Sequence, residues 1–207
     1  MQSEVEIVQS KKKDMGLSIH YNGRFNTAAS LKSLIEEVAD IARVYKWKHH
    51  IFHEEFPVEK LDDDRYDGEI YGILFSPPEC EPVFLTFLSN GLMCSPQSLD
   101  FWAEETDPVR AGYLYQLFTK TQYAGIEIHK LVIHILKHIS QKYLSEFSLI
   151  DEGEYWETGD EILLQKNFDK YNFLIDSFCT SLETFPKKKD ESFEVYFMRL
   201  MKNIKEK

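Results

Sequence analysis

The 207-residue chain has little cysteine, and its three residues (Cys80, Cys94, Cys179) are scattered without CxxC spacing. That argues against a disulfide framework and against a structural zinc site. No apolar run approaches the roughly 20 residues that span a bilayer, and MQSEVEIVQSKKKD lacks the apolar stretch of a secretory signal. A soluble cytoplasmic protein without membrane contact is expected. Positive charge is also scarce: Lys and Arg number 24 against 35 Asp and Glu, giving a net charge of −11. The imbalance concentrates in residues 61–111, which hold 11 acids and 2 bases. Nucleic-acid binding leans on basic groups neutralising phosphates, and the triplets Lys11–Lys13 and Lys187–Lys189 read as solvated runs, so no nucleic-acid partner is expected.

Phosphate cradles and nucleophile elbows are missing as well. No GxGxxG, GxxxxGK[ST] or GxSxG occurs. His134 and His138 have metal-competent i, i+4 spacing, but HILKH has no Glu after the first His, and they read as exposed. His129 reads as half-buried and satisfied. Cys80 sits in PPECEP, where neighbouring carboxylates raise a thiol pKa. Cys94 and Cys179 read as packing residues.

What is present is 43% hydrophobic and 14% aromatic residues, enough for a sizeable core. GLSIHYNGRF (Gly16–Phe25) alternates as a strand, and Asn26 and Thr27 offer caps for a helix carrying Leu31, Leu34, Ile35, Val38, Ile41, Ala42 and Tyr45 on one stripe. KHHIFHEEF reads as a second strand and the acidic LDDDRYDG as a loop. Glu69–Ser76 and Val83–Leu88 read as strands. Asn90-Gly91 predicts a type I′ hairpin returning through Leu92–Cys94. Residues 95–111 read as irregular, with a turn at Asp107-Pro108, and Gly112–Thr121 as a further strand. Helical patterns follow from Gly125, then an extended piece near Phe147–Ile150, a long helix ended by Pro186, and an amphipathic helix over Glu191–Ile204. The order predicts an α+β fold: one curved, mostly antiparallel sheet with helices on one face. The expected organisation is a polar tail over 1–15, a single domain over 16–186, and a linker with a C-terminal helix over 187–207.

Two stretches carry candidate sites. TKTQYAG (Thr119–Gly125) runs from a strand into a helix start, where an anion would meet free N–H groups and Lys120, Thr121, Gln122 and Gly125. DEGEYWETGDE (Asp151–Glu161) sets carboxylates at Asp151, Glu152, Glu154, Glu157 and Asp160. A hard cation would suit these oxygens, although the spacing is not that of an EF-hand loop. The stronger reading is structural: Thr158 and Glu161 match a capping box, with Tyr155 and Trp156 packing from opposite faces of an edge segment.

The segments GLSIHYNG, VYKWKHHIFHEEFP, GILFSPPECEPVFLTF and EYWETGD resemble an uncharacterised bacterial protein family, over most of Gly16–Phe185. The resemblance implies a fold similar to the TATA-box-binding protein, a curved antiparallel sheet backed by helices, and implies no activity or functional residues. With no catalytic motif and no cofactor signal, the leading expectation is a non-enzymatic binding or protein-interaction domain. Its acidic 61–111 region suits a basic protein partner, with a homodimer as the other association considered. The alternative is a small-molecule- or metal-binding enzyme with a pocket on the sheet face, using His49, His53 or the 151–161 carboxylates.

Overall fold

The computed structural model describes residues 17–27, 29–57, 61 and 65–205. The tail over 1–15, Lys11–Lys13 and the Asp62–Asp64 run of the acidic loop lie outside these residues. The chain divides into two compact units, one over Leu17–Leu164 and the other containing Gln165–Lys207. The first unit thus ends inside the long helix.

In the first unit, β1 (Ser18–Asn22) leads to α1 (Leu31–Val44), then β2 (Lys48–Ile51), β3 (Tyr71–Ser76) and β4 (Val83–Phe87). Three short helical turns follow: α2 (Pro96–Trp102), α3 (Pro108–Ala111) and a 3-10 turn over Gly112–Tyr115. Then come β5 (Leu117–Lys120), α4 (Gly125–Tyr143), β6 (Ser148–Asp151), α5 (Tyr155–Thr158) and the start of α6 (Glu161–Thr184). The α+β class holds. The strands, however, form two antiparallel three-stranded sheets, β5-β1-β6 and β2-β3-β4, where one sheet was expected.

The two sheets meet where side chains complete the backbone pairing. The Tyr21 hydroxyl donates to Phe84 O (3.1 Å) and accepts from Phe84 N (2.9 Å), occupying the edge of β4 that β3 leaves open. Burial pushes the Tyr21 phenol well above its ordinary pKa, so it stays a neutral donor. Lower down, Glu81 N donates to Lys120 O and Lys120 N to the Glu81 carboxylate at 3.0 Å.

Local chemistry accounts for the elements that the sequence pattern misplaced. Ser30, and neither Asn26 nor Thr27, caps α1, its hydroxyl accepting from Ser33 N. Ser95 and Asp107 cap α2 and α3, each followed by a proline in the first turn, so the stretch read as irregular is helical. The 3-10 turn shortens the strand expected over Gly112–Thr121 to Leu117–Lys120. At the hairpin only Gly91 takes a positive φ, 80°, and Asn90 does not. With Gly91 N bonded to Leu88 O and Leu88 N to Leu92 O, this is a three-residue bulged loop in place of a type I′ turn.

In the second unit, α6 continues from Gln165 and α7 (Phe193–Lys205) follows. Phe178 and Phe197 meet at 6.2 Å between centroids. Arg199 lies over Phe185 and Tyr196 and holds Glu191 by two 2.9 Å bonds. Cys179, read as packing, is exposed. Among the described residues no helix is long and apolar enough to cross a membrane.

Candidate functional site

Strand alternation gives the sheet β5-β1-β6 two faces with opposite contents. Its inner face carries Leu117 and Thr119, Ile19 and Tyr21, and Leu149 and Asp151, all buried. Its outer face aligns Phe118, His20 and Ile150 as cross-strand neighbours. Phe118 is 56% exposed and Ile150 58%, with the His20 and Phe118 rings 6.1 Å apart.

Phe118 also lines a cleft of about 430 Å³. One wall is β5 with Gln116 and Leu117, another is Glu81, Pro82 and Phe84 leading into β4, and the third is α2 with Ser95, Gln97, Ser98, Phe101 and Trp102. The position of α2 follows from its sequence: Leu99 and Trp102 pack on a small core of Ile70, Leu88, Cys94 and Leu114. Phe101 falls on the opposite side of the helix and is 78% exposed. The Trp102 indole is further held by Tyr113 at 5.3 Å. Glu81 is the charged residue of this lining, whereas Asp100 of α2 lines a separate cleft with His53, Gly68 and Glu69.

Behind the sheet lies the most polar buried constellation among the described residues. Thr121 Oγ1 is 2.7 Å from His129 Nδ1, and His129 Nε2 is 3.1 Å from Asp151 Oδ1, aligned as a charge contact more than as a linear hydrogen bond. Thr121 and His129 are 0% exposed and Asp151 4%. The order hydroxyl, imidazole, carboxylate is that of an activated nucleophile. All three are, however, closed off from solvent, and Thr121 Oγ1 also reaches Leu17 O.

The Asp151 carboxylate is instead a backbone organiser. It accepts from Gly153 N (2.7 Å), Tyr155 N (2.8 Å) and Trp156 N (3.0 Å), starting α5. Burial raises its pKa, but His129 and the Trp156 and Gly153 amides outweigh that and hold it below the ordinary carboxylate value. A Cβ at Gly153 would lie 2.7 Å from Leu164 Cδ1 and 2.9 Å from His129 Nε2, so a larger residue there must displace these side chains. Glu152 completes the junction by accepting from Ser18 N at 2.7 Å.

The expected sites are therefore redistributed. Thr121 and Gln122 turn inward, Gln122 accepting from Leu17 N. Lys120 belongs to the outer sheet face, and Gly125 opens α4 with φ 79°, so the four expected anion ligands do not gather. Of the metal set, Asp151 is buried on backbone amides, while Glu154, Glu157 and Asp160 are exposed along the following turn. Among the described residues no three His, Cys, Asp or Glu side chains are grouped to hold a metal ion. The capping box also shifts. Asp160, not Thr158, caps α6, accepting from Ile162 N and Leu163 N, and Thr158 Oγ1 bonds back to Glu154 O. Tyr155 and Trp156 stand on a helical turn, Tyr155 buried and Trp156 half-buried beside Phe147.

Of the remaining histidines, His53 contacts Glu69 at 3.3 Å on the surface. His49 is half-buried in β2. His134 is exposed, and His138 bonds Glu37 at 2.6 Å. His129, read as half-buried, is fully enclosed. Burial first, and the Glu81 charge after it, push the Cys80 thiol up to about 11, and burial pushes Cys94 to about 12. Neither is a reactive thiolate at neutral pH.

Comparison with protein-family models, with curated proteins and with solved structures finds no match for this chain.

Proposed function

We propose that this protein is a polypeptide-binding domain that takes a basic segment of a partner protein in the cleft between α2 and β5, and that it performs no chemistry there. The observation that carries this reading is the grouping of Phe101, Trp102 and Phe118 around a cleft whose charged lining residue is Glu81, with Phe118 shared by the open sheet face. Exposed apolar area of this kind marks interaction sites more than isolated surface residues do. Aromatic residues are the usual anchors of interfaces. Glu81 in the wall and the acidic balance of residues 61–111 favour a basic partner and speed its encounter, and the same charge opposes nucleic acid. The proposal rests on the cleft and not on likeness to the TATA-box-binding-protein fold. A cytoplasmic location is part of the proposal, supported by three free thiols, two of them held protonated.

The test is fluorescence anisotropy with a labelled dodecapeptide of lysines flanking a central leucine, beside a glutamate-flanked counterpart. Saturable binding of the lysine peptide, weakening with salt and absent for the glutamate peptide, supports the proposal. Equal binding of both, or none up to millimolar concentration, contradicts it.

A further inference from the structure

The lining of the cleft is specific enough to name the chemistry of the group it anchors. Resting on the polypeptide-binding reading, we infer that the cleft reads a cation: the guanidinium of an arginine or the methylated ammonium of a lysine, seated among aromatic rings. Four rings, those of Phe84, Phe101, Trp102 and Phe118, line one space. Ring faces attract cations, indole most strongly. A neutral anchor would use the rings but gain nothing from the carboxylate that stands among them.

That carboxylate is Glu81, and it is fixed. Its Oε2 accepts from Lys120 N at 3.0 Å, and its backbone carbonyl accepts from the Thr119 hydroxyl at 2.9 Å. The charge is thus tied to the cleft wall by β5 and does not swing freely on a long side chain. Trp102 is fixed likewise, by the small core under α2 and by Tyr113. A fixed carboxylate and fixed rings favour a charged guest because little ordering remains to be done on binding.

The remaining polar groups agree. Gln97, Ser98 and Gln116 supply neutral acceptors on the cleft lining, and the lining includes no Lys or Arg side chain. Guanidinium and methylated ammonium are more weakly hydrated than a bare ammonium, so they lose less on entering an aromatic space.

The experiment uses the full chain and the same lysine-flanked peptide, with its central leucine replaced by arginine, by trimethyl-lysine, or by the uncharged tert-butyl analogue of trimethyl-lysine. The inference expects the arginine or trimethyl-lysine peptide to bind about tenfold more tightly than the uncharged analogue. It expects Trp102→Leu to reduce that preference and Glu81→Gln, which keeps an acceptor for Lys120 N, to abolish most of it. Equal affinity for the charged and uncharged peptides overturns the inference while leaving the polypeptide-binding reading intact. Failure of every lysine-flanked peptide overturns both. If Trp102→Leu does not fold, the Glu81→Gln comparison decides alone.

Discussion

The two faces of the sheet β5-β1-β6 invert the usual arrangement of a globular protein. The side turned inward closes on Thr121 and Asp151 with His129 of α4 between them, shut off from solvent. The face turned to solvent presents phenylalanine and isoleucine. Buried polar groups and exposed apolar groups are the informative departures from the average, and here they sit on alternate residues of the same strands. The constellation that looks most like an active site is the one that solvent does not reach. The surface that looks like leftover apolar residue is the one available to a partner. Chemistry-bearing residue types are therefore a poorer guide in this molecule than accessibility.

That contrast can be broken from its buried side, where the effects are largest. Asp151→Ala removes the acceptor for three backbone N–H groups and leaves His129 facing an empty position. Stability should fall by about 3–5 kcal/mol, the usual consequence of removing one partner from a buried charged contact. A urea-unfolding loss below about 1 kcal/mol would show the network to be ornamental. Gly153→Ala should cost about 1–3 kcal/mol, because the new methyl must displace Leu164 and His129. A neutral result there would mean that the turn before α5 relaxes freely.

A further prediction concerns pH. Glu37 on α1 accepts from His138, Lys142 and Tyr143 of α4, at 2.6–2.7 Å. Partial burial raises its pKa, but these three donors outweigh it and bring it down to about 2. A depressed folded-state pKa contributes stability that is fully present above the ordinary glutamate value and is lost as pH falls towards 2. Thermal unfolding between pH 6 and pH 2 should therefore show a loss that Glu37→Gln lacks. Parallel curves for the two proteins would remove Glu37 as the tie between α1 and α4.

How much of this was legible in the sequence depends on range. Alternation placed β1, apolar runs bounded by Pro77-Pro78 and Asn90-Gly91 placed β3 and β4, and helical periodicity placed α1, α4 and α6, because those signals are local. Ser95-Pro96 and Asp107-Pro108 were also local signals, cap residues followed by a proline, and they identify α2 and α3 once read as such. The split into two sheets was not legible, since β1 pairs with β5 across 102 residues at Ser18–Lys120 and with β6 across 132 at Ile19–Asp151. The partnership of His129 with Asp151 depends on α4 and β6 being brought together, and no spacing rule encodes it. The exposure of Phe101 and Phe118 was hidden for a related reason. Periodicity says that two residues share a face, but not whether anything covers that face.

The smallest expected stability effects come from the open side. Phe101→Ser and Phe118→Ser should each change unfolding free energy by no more than about 0.5 kcal/mol, as for ordinary surface substitutions. The most direct test of the account is the affinity of the lysine-flanked peptide for the Phe101→Ser/Phe118→Ser double variant, measured beside wild type. The account predicts an unfolding midpoint close to that of wild type together with an affinity at least tenfold weaker. Unchanged affinity in a folded double variant would contradict the claim that this cleft is the binding site.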